Sequence, residues 1–415
     1  MSAAIPNDQF LLYCFDTDAT ALSLRAELLR NAGDVEELRV RFADSRFGGY
    51  PRVRTTTVET DQIVLHVDRI RWDTCQEKIA ALLRSQLGPH HKCWRVHIFD
   101  AVHDAPLCSG PAAVVVLQIS HALGDGQVVS SIARRLFGDT RQQPVHRTQY
   151  DRFRPRRFLA RAARARRLAA LLEADTAAGL VPAQAPGRPR THINVAPAGR
   201  TSIRAVVRDR TDFTATGTSV TVGALTAISL ALQRYSTVTG HAVPAELGAE
   251  VTFADTTQRR ARNHFRNAGV GLHPDCEDLV ERARRISSDI RSRRARAAHP
   301  ANEAENLATE MIPAALLRWG IGQFDATAEP ETVTGNTVVS SVNRGSADLW
   351  LGGGPVRFTA GFPALSPVMA VTHGVHGIGG AVTISVTSSE SAVPDPDLYA
   401  SILRCAADDV ATAFH

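Results

Sequence analysis

Apolar and polar positions along the chain alternate between two periods, and the switches between them mark out its elements. Leu22, Leu24, Leu28 and Leu29 give residues 19–31 a helical spacing. Residues 61–67 form a strand pattern with Ile63, Leu65 and Val67 on one face, and 75–87 is a second amphipathic helix. A strand at 93–100 and a turn-rich loop at 103–110 follow, then a run of β-branched and apolar residues at 113–119 that predicts a buried strand. After Gly126 the period lengthens again, through Val128, Val129, Ile132, Ala133, Leu136 and Phe137, to that of an amphipathic helix. The second half predicts strands at 202–207, 249–253, 337–342 and 381–387, with helices at 221–235, 279–298 and 394–414. No tandem repeat of solenoid length occurs. The glycine-rich stretch 374–380 lacks the strand-to-helix setting of a phosphate loop.

One junction stands out chemically. His121 sits where the 113–119 strand ends, and Asp125 and Gly126 follow four and five residues later, just before the helix. A side chain at the end of a buried strand is held rigidly and still reaches a cleft, which suits a proton-transfer group. On these residues alone, a core histidine beside a turn accounts for the pattern as well. Ser120, its neighbour on the strand, points to the opposite face, which argues against a Ser-His pair. Gly126 permits either close packing or a backbone angle that other residues resist.

Composition bounds the rest. A length of 415 residues exceeds one ordinary core and fits two domains, and an apolar content of 44% supplies both. The beginning of the sequence has no basic stretch leading into an apolar one, so no signal peptide is expected. The apolar run at 10–15 is short, and none approaches the ~20 residues of a membrane span. Six scattered cysteines without a Cys-x-x-Cys fit reduced thiols and a cytoplasmic setting. His90, His91 and Cys93 lack a second cluster at zinc spacing, so no metal is expected. The organisation predicted is an N-terminal unit at 1–140, a crossover at 141–200 and a C-terminal unit at 201–415.

Charge changes the picture once more. The net charge of +5 is concentrated at 151–157 and 161–167 within the crossover, whose later part, 182–189, is rich in proline. A second concentration lies at 282–285 and 291–296 on the later helix. A solvated helix face and an anion site both fit these arginines. Nucleic-acid binding is a third reading, but no aromatic-interleaved or zinc-finger pattern supports it, so no nucleic-acid partner is expected.

The pattern His-x-x-x-Asp-Gly at 121–126 resembles the active-site motif of the CoA-dependent acyltransferase superfamily. That superfamily includes chloramphenicol acetyltransferase, the plant BAHD enzymes, condensation domains of nonribosomal peptide synthetases, and bacterial wax ester synthase/diacylglycerol acyltransferases. Further landmarks, read in order, resemble the last branch. They are Asp8-Gln-Phe-Leu-Leu12, Trp94-Arg-Val-His-Ile98, Thr221-Val-Gly-Ala-Leu225 opening a helix that ends Arg234-Tyr235, and Asn267-Ala-Gly-Val-Gly-Leu272. Val339-Ser-Ser-Val342 and Phe362-Pro-Ala-Leu-Ser-Pro367 complete the series.

The resemblance implies an α/β chain of two similar mixed α/β sandwich domains with an active-site tunnel at their interface. It implies that His121 is the base, that Asp125 fixes the loop through an internal ion pair, and that Ser120, Ser341 and Asn343 lie at the oxyanion or along the tunnel. Arg161, Arg164, Arg291 and Arg294 would dock the phosphates of coenzyme A or the acidic surface of a carrier protein. No cofactor is implied, since the acyl-CoA or acyl-carrier protein is a co-substrate. The partners are that thioester donor and a small-molecule acceptor. The reaction implied is direct acyl transfer to an acceptor hydroxyl. A carrier-dependent condensation forming an amide or ester, and a noncatalytic member binding an acyl ligand or a partner, stay open.

Three departures qualify this. Ser120 stands where the family has the first of two histidines. Gly223-Ala224 replaces an Asn-Asp pair near the second-domain helix, removing side-chain donors expected near an oxyanion. The usual Asn-Val-Pro-Gly-Pro turn is represented by Ser341-Val-Asn-Arg-Gly345.

Overall fold

The computed structural model describes residues 7–45, 49–138, 154–254, 265–323 and 329–415. The first part of the chain forms β1 (Asp8–Phe15), α1 (Ala21–Asp34), β2 (Val40–Ala43), β3 (Arg52–Thr55), β4 (Ile63–His66), β5 (Ile70–Arg71) and α2 (Trp72–Leu82). It continues through β6 (Trp94–His103), β7 (Ala112–Ser120) and α3 (Gly126–Leu136). The crossover holds α4 (Pro155–Ala177) and β8 (Arg188–Pro189). Next come β9 (Thr201–Asp209), α5 (Val220–Val238), β10 (Gly248–Ala254), β11 (Phe265–Gly271), α6 (Leu279–Ala297), α7 (Pro300–Thr309) and α8 (Ala314–Gly322). The last segment forms β12 (Thr332–Val333), β13 (Thr337–Asn343), β14 (Trp350–Leu351), β15 (Gly354–Gly361), β16 (Val371–Ile378), β17 (Ala381–Ser389) and α9 (Pro396–Phe414).

Two large sheets organise these elements. The first runs β14-β15-β1-β7-β6-β4, with β5 also beside β6. It is antiparallel except where β4 and β5 run alongside β6. Strand β1 explains its burial on both faces. Alternation sends Leu11, Tyr13 and Phe15 into the core made with α1 and α3, and Phe10, Leu12 and Cys14 into the core made with α2. A strand covered on both faces has no polar side to display, so 10–15 reads as a plain apolar run rather than an alternating one. The α2 core also takes in Ile203 and Ala381 from the second sheet, so the two sheets meet there. The Ala205 amide donates to Gln76 Oε1 of α2 at 2.9 Å across that junction.

The second sheet runs β11-β10-β13-β16-β17-β9. Its central strand β13 is parallel to both neighbours, β10 and β16. Helices α5, α6 and α9 cover one face, packing Leu225, Ile228, Ile286 and Leu403 onto Val339, Val371 and Val375. The glycine-rich stretch is therefore strand β16. A β-carbon at Gly374 would lie 2.3 Å from the Gly361 carbonyl oxygen, so this glycine lets β16 of the second sheet approach β15 of the first.

The mixed α/β, two-unit architecture matches the sequence expectation, but its strands are not shared out in chain order. β14 and β15, at 350–361, complete the first sheet although they lie within the 201–415 segment. Most predicted elements recur with shifted ends; the helix expected at 75–87 occupies Trp72–Leu82. The basic helix of the crossover is α4, and no residue of it is buried. Its apolar stripe, Phe158, Ala162, Ala165, Leu168 and Leu172, is only half-buried, while the arginines between them stay mostly exposed. All six cysteines are free.

Candidate active site

The turn between β7 and α3 is built by backbone geometry before any chemistry enters. The His121 amide donates to the Asn7 carbonyl at 2.9 Å, and the His121 carbonyl accepts from the Gly124 amide at 3.2 Å. Gly124 has φ +154°, and a β-carbon there would lie 2.5 Å from Val128 Cβ, so the turn requires glycine. Asp125 is the N-cap of α3: its Oδ1 accepts from the Gln127 and Val128 amides at 3.1 and 3.2 Å. This satisfies donors that the first helical turn leaves open and sets an anion at the positive end of the helix. The half-buried His121 imidazole lies 6.3 Å from the Phe265 ring, centroid to centroid.

The cap makes a prediction. Asp125→Ala is expected to cost about 1 kcal/mol of stability, whereas Asp125→Asn, which caps almost as well, is expected to keep most of it. Melting curves of the two variants check this. Equal losses would show that the charge, as in the implied ion pair, matters more than the cap.

Around His121 lies a cleft of about 400 Å³, with walls from both sheets. The motif supplies His121, Asp125, Gly126 and Gln127, and β1 supplies Asp8 and Phe10. From the second sheet come Thr252, Phe265, Asn267, Ser341, Asn343, Arg344 and His376, while Gly361 and Phe362 stand between. Gly126 serves close packing: a β-carbon there would lie 3.2 Å from Val342 Cγ2 of β13. The Asp8 carboxylate accepts from the Leu87 amide at 2.6 Å and from Gln118 Nε2 at 2.7 Å. Burial raises its pKa above the ordinary carboxylate value, and those hydrogen bonds offset part of the rise.

Helix α3 also fixes the turn after β13. Arg134 Nη1 donates to the Arg344 and Ser346 carbonyls at 3.0 and 2.9 Å, and Arg134 pairs with Asp348. The Arg344 side chain turns inward, Nη1 donating to Ser130 Oγ at 3.0 Å, and Ser130 donates to the Gly126 carbonyl at 2.6 Å. His376, buried beside it, is kept neutral first by desolvation and then by the Arg344 charge, which together hold its pKa well below the ordinary histidine value.

The expected site residues are thus distributed unevenly. His121, Asp125, Gly126, Ser341 and Asn343 line one cleft. Ser341 Oγ shares a 2.8 Å hydrogen bond with Thr221 Oγ1 at the start of α5. Ser120 is buried outside the cleft lining, its Oγ accepting from the Ala122 amide at 3.3 Å. Arg161 donates to the Leu307 carbonyl of α7 at 3.2 Å, Arg164 is exposed, and Arg291 donates to Ser287 Oγ at 2.9 Å. Arg294 lines a hollow of about 590 Å³ that also takes in Arg266, Arg293 and Arg296. Its guanidinium lies 5.6 Å from the centre of the Phe253 ring. The two hollows share Asn267 of β11. Sequence reading missed Asp8, Gln127, Thr252, Phe265 and His376 as cleft residues, and took Arg344 only as part of a turn. For Arg344, the signal was a charge placed between two nearly neutral strands.

Comparison with known proteins agrees with this architecture. Residues 263–409 match the family described as WS/DGAT C-terminal domain. The whole chain superimposes on the wax ester synthase/diacylglycerol acyltransferase from Marinobacter aquaeolei VT8 with a TM-score of 0.66 at 16% identity, covering 98% of this chain and 94% of that one. The fold is that of the CoA-dependent acyltransferases. Two condensation domains share this acyltransferase fold. The starter condensation domain of rhizomide synthetase, solved with C8-CoA and Leu-SNAC, aligns over 99% of this chain and 91% of its own, at 10% identity and a TM-score of 0.55. The first condensation domain of the CDA synthetase aligns over 98% and 92%, at 14% identity and a TM-score of 0.53. No curated protein sequence matches the chain.

Within the acyltransferase fold, the departures acquire physical reasons. Gly223 packs against the backbone of Phe213: a β-carbon would lie 2.3 Å from the Phe213 carbonyl oxygen. Ala224 is fully buried, and neither residue lines the cleft. The turn at 343–345 replaces proline geometry with an Asn343 side chain that accepts from the Gly345 amide at 3.0 Å, and with Gly345 at φ +90°. Among the described residues, no group of three or more His, Cys, Asp or Glu could hold a metal, and no helix is long and apolar enough to cross a membrane.

Proposed function

We propose that the chain is an acyltransferase that moves an acyl group from acyl-CoA directly to an acceptor hydroxyl, with His121 as general base. The observation that supports this best is the position of His121, at a rigid strand end, opening onto a cleft walled by both sheets. The imidazole removes the hydroxyl proton as the acceptor oxygen attacks the thioester carbonyl. The oxyanion that forms needs donors, and Asn343, Ser341 and Gln127 are the cleft groups placed to be tested for that role. The proton on His121 then passes to the leaving thiolate, so the step balances with no enzyme nucleophile.

The donor's phosphates would lie against the basic hollow at Arg294. Neutralising Arg294 together with Arg291, as Arg→Gln, is expected to raise the apparent KM for octanoyl-CoA several-fold with kcat nearly unchanged, because such binding is remote from the reacting carbonyl. The effect is expected to fade as salt rises. The same variants assayed with an octanoyl carrier protein decide between donors. A carrier donor depends on many arginines at once, including exposed Arg164, whereas coenzyme A depends on one or two. Turnover of neither thioester with any alcohol or amine would overturn the transferase reading.

A further inference from the structure

Among the described residues, no carboxylate pairs with the charge of Arg344. Arg344 is 4% exposed; its Nη1 donates to the Ser130 hydroxyl, and the guanidinium lies beside the neutral Tyr13 hydroxyl. Its Nε is buried without a partner. The guanidinium carbon lies 5.7 Å from the centre of the Tyr13 ring, and burial raises the Tyr13 hydroxyl pKa, so that group stays protonated and supplies no negative charge. The two carboxylates of the cleft are held in other places, Asp125 on the first turn of α3 and Asp8 by Leu87 and Gln118. Arginine does not escape burial by losing its proton. A buried cation without a counter-ion is costly, and such groups are normally paired.

Arg344 and His376 both line the cleft. A β-carbon on Gly361, which lines the cleft, would lie 3.1 Å from Arg344 Nη2 and 2.7 Å from His376 Cε1. Both groups therefore pack against the backbone of Gly361, and a larger residue there would push them out of place. Nη2 has no hydrogen bond among the described residues, and His376 Nδ1 is buried without a partner. Adjacent free N–H groups on a planar guanidinium form the fork that a carboxylate fills with two parallel hydrogen bonds.

Building on the transferase reading, we propose that Arg344, with His376 beside it, anchors a carboxylate of the acceptor, so that the cleft selects a hydroxy or amino acid over a neutral alcohol or amine. The acceptor is the source because the thioester and pantetheine arm of the donor are neutral, and its phosphates lie far from the reacting carbonyl. A cleft of about 400 Å³ suits a small molecule of this kind.

The test compares C4 to C8 hydroxy acids with their amides, on wild type and on Arg344→Gln. In melting experiments the acids are expected to raise the wild-type Tm while the amides do not, and Arg344→Gln is expected to lose the response. In turnover with octanoyl-CoA, kcat/KM is expected to favour acid over amide at least ten-fold, mainly through KM, and to approach parity in Arg344→Gln. Arg344→Lys, which keeps the charge and loses the fork, is expected to fall between. Equal effects of acid and amide on wild type would overturn the proposal, as would an acid response that survives in Arg344→Gln. A preference for succinyl-CoA over butyryl-CoA with amide acceptors would also overturn it, by assigning the carboxylate to the donor. An acid-specific Tm shift without turnover would support the anchor and count against acyl transfer. If Arg344→Gln does not fold, the wild-type acid and amide comparison decides alone.

Discussion

His121→Ala is expected to lower thioester-to-acceptor turnover about 1,000-fold while leaving the melting curve unchanged. General acid–base groups contribute roughly 100- to 10,000-fold, and here one imidazole serves both to take the acceptor's proton and to return it to the thiolate. The hydrogen bonds that shape the turn run from the His121 backbone, to Asn7 and Gly124, and the helix cap belongs to Asp125. Steady-state kinetics alongside thermal unfolding check both halves. A variant that melts normally and keeps more than a few per cent of turnover would remove His121 from the role of base.

The second large effect concerns stability. Gly223→Asn, which introduces the first residue of the Asn-Asp pair that the resemblance leads one to expect, should destabilise the chain by about 3 kcal/mol, because the new β-carbon meets backbone rather than a movable side chain. The carbonyl oxygen of Phe213 would lie 2.3 Å away and its Cα 2.8 Å away. Thermal unfolding reads the loss directly. A variant that melts normally would mean that the segment carrying Phe213 can move aside. Any gain in turnover would then show that the missing donors limit the rate. At this helix the backbone of Phe213 fills the space that an asparagine side chain would need.

What the sequence made legible follows from what each element shows to solvent. Helix α3, with one apolar stripe, could be read from periodicity, whereas α5 and the run that became β7 could be read only from their sustained apolar and β-branched content. Strands β1 and β16 could not, because burial on both faces or close glycine approach erases the alternation. The motif at 121–126 was legible because chemistry and turn geometry fall within six consecutive residues. Arg344 and His376 were not, because they stand 32 positions apart and meet only when β13 and β16 pair in parallel. Asp8 was quoted as part of a landmark, yet its contact with Gln118 exists only because β1 and β7 are neighbours.

The placement of β15 beside β1 has a consequence for the order in which the protein can be made. Leu11 pairs with Gly361, so the first sheet waits for residues synthesised some 350 positions later. A nascent chain that has released the motif, the turn and α3 still carries β1 with one edge open, a row of unpaired backbone groups ready to pair with another chain. Phe358 and Ala360, which complete the core around Phe10 and Leu12, arrive on that same late strand. His121 thus leaves the ribosome well before the strand that completes its surroundings, and its cleft closes only when Gly361 and Phe362 have followed.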